Sequence, residues 1–269
     1  MAFSFLKKIT EWEITKRQRF IVMSIFLTVI LVTTQVVPQS SRLETIGFLT
    51  VTTVMLAVFA LWGELSGIKY FLLLLLPVYF VVGSSLFYFL LPVRWLTRLP
   101  FAFLFGISIY LLMLTANIYN VAAIRTIALH RAARAVGMLF ALVSAFFLIN
   151  VLLSLHLPFF VSVPVIVLIC GPLYLVQLWS NDLAEYVSGK LLSYTLVYSL
   201  ITVQTATVFS FWPLAPINGA LILITVMYVL LGLGQFAFGE QLKSRYVWEY
   251  LSIAAFVAII VVVTTRWGG

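Results

Sequence analysis

The stretch Phe71–Leu91, with the sequence FLLLLLPVYFVVGSSLFYFLL, decides the fold of this chain. It contains no charged residue. A helix needs about 20 predominantly apolar residues to cross the hydrocarbon core of a bilayer, and an uncharged run of this length is typical of a transmembrane span. The stretch therefore predicts a helix that crosses a membrane.

Apolar runs of similar length recur along the chain and are separated by short polar breaks. In total, 64% of the residues are hydrophobic and 9% are charged, whereas soluble domains carry about 25% charged residues. We predict an all-α, polytopic integral membrane bundle of about nine transmembrane helices, with eight as the alternative. The predicted spans are residues 20–37, 46–62, 69–91, 101–118, 135–155, 159–179, 190–211, 216–238 and 249–265.

Basic residues predict the orientation of these spans, because loops rich in lysine and arginine stay on the cytoplasmic side. With a cytoplasmic N-terminus, the inner segments hold twelve of them: Lys7, Lys8, Lys16, Arg17, Arg19, Lys69, Arg125, Arg131, Arg134, Lys190, Lys243 and Arg245. The outer segments hold the other four: Arg42, Arg94, Arg98 and Arg266. The sequence therefore predicts that the N-terminus is cytoplasmic.

Tryptophan positions support the same map, because indole rings prefer the headgroup level of a membrane. The predicted helix ends carry Trp62, Trp95, Trp179, Trp212, Trp248 and Trp267.

The chain has one cysteine, Cys170, and no N-x-[ST] sequon. We predict a multi-pass protein of the bacterial plasma (inner) membrane.

Residues 1–19 precede the first span and form a separate predicted segment, while residues 20–269 form the multi-span transmembrane domain. Phe5, Ile9 and Trp12 share one side of a helical wheel. We therefore predict a basic cytoplasmic segment that lies as an amphipathic helix on the anionic inner leaflet, or alternatively a basic tail that only sets topology. The predicted partners are the lipid bilayer and anionic inner-leaflet lipids. The net charge of +8 is spread along short loops, so nucleic acid is not a predicted partner.

The chain lacks the motifs of several common catalytic sites. It contains no H-E-x-x-H, G-x-S-x-G or G-x-x-x-x-G-K-[ST] sequence, which would supply zinc ligands, a nucleophile or a phosphate cradle. Its two histidines, His130 and His156, fall on opposite sides of the membrane in the predicted map. We predict no catalytic residue, no metal and no cofactor, and an enzyme is not the leading interpretation.

Two neighbouring spans carry the predicted substrate site. The seventh has a stripe of hydroxyl side chains within about 140° of a helical wheel, and such a stripe either lines a polar cavity or hydrogen-bonds to a neighbouring helix. The sixth contains prolines, which remove backbone donors and interrupt helices, and interrupted spans often flank binding sites. The predicted substrate-binding residues are Tyr194, Tyr198, Thr202, Thr205, Pro164 and Pro172.

The longest inner connection carries Arg125, Arg131 and Arg134. A guanidinium group binds phosphate oxygens with two hydrogen bonds, so we predict that these arginines bind a lipid phosphate. The alternative is that they only hold this connection on the inner side.

The leading functional interpretation is a permease-like protein that binds or moves a small neutral or amphipathic solute or a lipid, using the sixth and seventh spans. A second is a non-catalytic, membrane-embedded partner subunit or scaffold, whose polar stripes pack against another membrane protein. A third is an enzyme that acts on lipid-linked phosphates with its arginine cluster.

Overall fold

A computed structural model describes residues 15–61, 67–123, 128–212, 214–238 and 243–265. These residues form nine α-helices and no strand. The helices are α1 (Lys16–Thr33), α2 (Arg42–Ala60), α3 (Ile68–Leu90), α4 (Trp95–Ala122), α5 (Leu129–Ser154), α6 (Phe159–Asp182), α7 (Gly189–Ser210), α8 (Pro216–Phe238) and α9 (Ser244–Thr264). Within the same residues, eight helices, α2 to α9, are long and apolar enough to cross a membrane. The predicted helical membrane bundle is confirmed.

The first helix, α1, differs from the other eight. Its 18 residues begin with Lys16, Arg17 and Arg19, so its apolar part is shorter than a bilayer core requires. The amphipathic helix predicted for residues 1–19 lies almost entirely outside the described residues.

The centre of the bundle is formed by α3 and α5, which are the two most buried helices and pack against each other. A glycine of α3, Gly83, lies in this contact. A Cβ atom built on Gly83 would lie 3.1 Å from the backbone oxygen of Ser144 and 3.1 Å from Cγ of Leu148. Small residues let the helices approach closely, which membrane helices need because no hydrophobic driving force brings them together.

The remaining helices surround this pair. The helix α1 packs on α4, α2 packs on α3, and α6 packs most closely on α7. The helix α8 lies against α5, and α9 packs mainly against α8. Of the residues in α9, only Val261 is buried.

Contacts between helix termini define two ends of the bundle. We call the end where α3, α5 and α7 begin the basic end; there Nζ of Lys69 lies 3.5 Å from Oε1 of Glu185. At the other end, the distal end, Gln35 donates a hydrogen bond to the hydroxyl of Tyr88. The basic residues described at the basic end are Lys16, Arg17, Arg19, Lys69, Arg131, Arg134, Lys190, Lys243 and Arg245. Those described at the distal end are Arg42, Arg94 and Arg98.

Prolines lie within α3 and α6 without breaking them. Pro77 lies in α3, and Pro164 and Pro172 lie in α6, yet both helices are continuous, so the predicted interruption is wrong. Pro172 has no N–H to donate to the carbonyl oxygen of Leu168, four residues earlier. Instead, the Tyr79 hydroxyl of α3 donates to that oxygen at 2.7 Å. The carbonyl group that the proline frees is thus satisfied by a neighbouring helix.

Candidate functional site

A cavity of about 740 Å³ opens between α5, α6, α7 and α8 at the distal end. Its mouth is formed by the two short connections that join α5 to α6 and α7 to α8. Ligand pockets in proteins typically have volumes of about 300–1,000 Å³. The cavity is therefore large enough for a small organic molecule or a lipid chain.

The walls of this cavity are apolar and aromatic, with Phe159, Phe209 and Leu223 among the lining residues. Its polar side chains include His156, Ser162 and Ser210, and the described lining contains no lysine, arginine, aspartate or glutamate. The chemistry of the lining is therefore suited to an uncharged ligand.

The polar side chains of the cavity retain hydrogen-bond acceptors. Nδ1 of His156 donates to the carbonyl oxygen of Ser154 at 2.9 Å, so a neutral imidazole leaves Nε2 as an acceptor. The hydroxyls of Ser162 and Ser210 donate to the carbonyl oxygens of Leu157 and Thr207, at 3.3 Å and 2.7 Å. Each serine oxygen can still accept a bond. A ligand hydroxyl or amide group could donate to these atoms.

The hydroxyl stripe of α7, residues 194–205, precedes the part of this helix that lines the cavity, which begins at Ala206. The hydroxyl of Thr202 is 2.7 Å from that of Tyr174 on α6. Thr195, Ser199 and Thr202 are buried, and each donates to the carbonyl oxygen four residues earlier. The stripe is therefore hydrogen-bonded within α7 and to α6.

The predicted substrate-binding residues of α7 contact one another and the α7 backbone, while Pro164 and Pro172 lie within α6. Tyr194 packs edge-on against Tyr198, with ring centroids 5.9 Å apart, and Thr205 donates to the carbonyl oxygen of Ile201 at 2.8 Å. Among the described residues, the cavity lining includes none of Tyr194, Tyr198, Thr202, Thr205, Pro164 or Pro172.

A second group of polar side chains meets at the basic end, between α4, α5 and α6. Nη1 of Arg134 donates to Oδ1 of Asn181 at 2.8 Å, and Nε2 of His130 donates to the carbonyl oxygen of Ser180 at 2.8 Å. We call this group the polar seam; it consists of Tyr119, His130, Arg134, Gly137, Gln177 and Asn181.

The three arginines predicted to bind a lipid phosphate are not all in the seam. Arg134 belongs to it, Arg131 is exposed beside it, and Arg125 lies outside the described residues.

Gln177 is the residue of this seam that sequence reasoning missed. Its side chain is 1% exposed, and neither its amide nitrogen nor its amide oxygen has a hydrogen-bond partner. A Cβ atom on Gly137 would lie 3.4 Å from its Nε2 and in collision with the Tyr119 hydroxyl. A glycine at position 137 therefore lets the Tyr119 hydroxyl and the Gln177 amide lie directly against α5. No group of three or more histidine, cysteine, aspartate or glutamate residues in the described chain could hold a metal ion.

Eight apolar helices, with α3 and α5 buried at their centre, define a multi-span helical membrane protein. The chain belongs to the family described as "Protein of unknown function (DUF5656)", which matches residues 62–264. This range contains both the cavity and the polar seam. Neither a curated protein nor a solved structure matches the chain.

Proposed function

We propose that this protein binds a neutral amphipathic molecule, a lipid or a lipid-like solute, in the cavity between α5, α6, α7 and α8. The observation that carries the proposal is the uncharged, largely apolar lining with polar side chains at its mouth. This is the permease-like role that the sequence favours, with the ligand placed in the cavity rather than along the hydroxyl stripe of α7.

The order of polar and apolar residues along the cavity supports this choice. His156 lies in the connection at the mouth. Ile166 and Leu223 lie seven residues inside the starts of α6 and α8, about 10 Å deeper at 1.5 Å per residue. An amphipathic molecule in a bilayer has the same order, with its polar group at the interface and its apolar part beneath. The polar group would donate to Nε2 of His156 or to a serine oxygen.

The test is photolabelling with a long-chain fatty alcohol that carries a diazirine, on the purified protein in neutral detergent. We expect the label on residues that line the cavity. An Ala206→Phe substitution places a ring in the cavity and should reduce labelling about tenfold, the equivalent of about 1.4 kcal/mol of binding free energy. The control is Ala258→Phe, the same change on the exposed side of α9, which should have no effect.

A fatty acid of equal chain length provides a second comparison. No positively charged residue is among the described lining, so the acid should compete less well than the alcohol for the labelled site. Undiminished labelling of the Ala206→Phe variant, or equal competition by acid and alcohol, would contradict the proposal.

We also propose that the basic end faces the cytoplasm of a bacterial plasma membrane, in accordance with the excess of basic residues there. Val93, at the distal end, and Tyr186, at the basic end, are 79% and 71% exposed. A membrane-impermeant thiol reagent should label Val93→Cys in intact cells but Tyr186→Cys only after permeabilisation. Cys170 is buried and should give little background. Labelling of both variants in intact cells would refute this orientation.

A further inference from the structure

We infer that the polar seam is a second binding site, specific for an oxyanion: the phosphate or carboxylate group of a lipid or of a small solute. It is separate from the cavity, because Arg134 and Leu152 lie 18 residues apart on α5, about 27 Å along the helix.

The seam is built from successive turns of α5 and α6 that lie side by side. Arg134 contacts Asn181, and one turn further into the bundle Gly137 lies against Gln177. Residues three and four apart share one side of a helix, so the Arg134 guanidinium and the Gln177 amide lie on neighbouring turns of the same α5–α6 contact. The Tyr119 hydroxyl closes it from α4, held by its hydrogen bond to the carbonyl oxygen of Ala133 at 3.1 Å.

Two donors of the seam lack an acceptor. Nε of Arg134 is buried without a hydrogen-bond partner, and so is Nε2 of Gln177. An unsatisfied buried donor costs about 1–3 kcal/mol, and the cost rises where hydrocarbon replaces water. These two side chains therefore point to an acceptor that occupies the space between them.

The positive charge of Arg134 favours an anion as that acceptor. The ion pairs among the described residues join Lys69 to Glu185 and Arg245 to Glu249. No described carboxylate therefore pairs with Arg134, whose polar contact is the neutral Asn181. A phosphate or carboxylate would accept from both free donors and would neutralise the guanidinium.

The depth of the site agrees with such a ligand. Arg134 and Gln177 each lie five residues from a helix terminus at the basic end, about 8 Å along the helix. A lipid headgroup can reach this level, and so can a small solute from the aqueous side.

The test measures binding of phosphatidic acid to the purified protein in neutral detergent by native mass spectrometry. Arg134→Gln and Gln177→Leu should each weaken binding about tenfold or more. Arg131→Gln removes the same charge from an exposed site on the same helix, so it should change binding by less than about twofold. Inorganic phosphate is added as a competitor: displacement of the lipid identifies a site for the free oxyanion, and no displacement identifies a site for the lipid headgroup.

Further variants keep the test decisive. Asn181→Asp places a carboxylate beside Arg134, 2.8 Å from its Nη1 at present; it should preserve the fold and abolish anion binding, even if Arg134→Gln does not fold. Ala206→Phe should leave phosphatidic acid binding unchanged, which separates this site from the cavity. Equal losses for Arg131→Gln and Arg134→Gln would indicate diffuse surface charge, and wild-type affinity of Gln177→Leu would indicate that only water fills the seam. Either result would overturn the inference.

Discussion

A Gly83→Leu substitution will force α3 away from α5 and lower the free energy of unfolding by about 3 kcal/mol. The Cβ atom alone would lie 3.1 Å from the backbone oxygen of Ser144, and a backbone atom inside a helix cannot rotate away. A leucine adds three further carbon atoms in this contact, so the two most buried helices must separate. Gly83→Ala should cost less, about 1 kcal/mol. Unfolding in mixed detergent micelles, followed by circular dichroism, measures both.

The matched control is Gly47→Leu on α2. A Cβ atom on Gly47 would meet no atom within 4 Å, and leucine has a higher helix propensity than glycine. We expect a change within about 0.5 kcal/mol. Equal destabilisation by the two leucine substitutions would show that close approach of α3 and α5 is not the cause.

A Trp179→Ala substitution is expected to have the second largest effect. It should lower the free energy of unfolding by about 2–3 kcal/mol. Trp179 is 2% exposed, and its Nε1 donates to the carbonyl oxygen of Ala184 at 2.9 Å, which fastens the connection between α6 and α7. Removing a buried tryptophan costs about 3–5 kcal/mol in soluble proteins. In soluble proteins, part of that cost is the free energy of transferring the side chain out of water. This part contributes little to the packing of membrane helices, which is why the expected loss is smaller here.

Trp248→Ala provides the comparison, because Trp248 lies on α9 and is 73% exposed. Its loss should change the free energy of unfolding by no more than about 0.5 kcal/mol. The two variants are compared by thermal unfolding in the same detergent. Comparable destabilisation would mean that headgroup contacts, rather than internal packing, set the contribution of Trp179.

The lengths of the apolar runs were sufficient to predict α2 to α9, the eight described helices that are long and apolar enough to cross a membrane, because a bilayer imposes a minimum length on each span. Helix boundaries were less predictable. The helices α4 and α5 begin at Trp95 and Leu129, about six residues before the predicted starts. The additional turns contain arginines that have partners: Nη2 of Arg98 donates to the carbonyl oxygen of Leu91 at 3.3 Å, and Arg134 bonds to Asn181. Hydropathy alone treats such residues as the end of a span.

The candidate sites depend on how separate helices are arranged, which the sequence pattern does not contain. The cavity collects residues between Leu152 and Leu223 from four helices, and no motif links them. Gln177 is a single amide within an apolar run. Its importance is visible only when Gly137, from a different helix, lies beside it. The hydroxyl stripe of α7, in contrast, was visible in the sequence. Lining a cavity and hydrogen-bonding to a neighbouring helix require the same spacing of hydroxyl side chains, however, so the sequence did not distinguish these two uses.

The α1–α2 hairpin touches the rest of the bundle away from both sites. Ser24 of α1 bonds to the carbonyl oxygen of Gly106 on α4, 13 residues before Tyr119, and α2 packs on α3. The family match begins only at residue 62. The matched range therefore covers α3 to α9, which contain both candidate sites, and leaves out the α1–α2 hairpin.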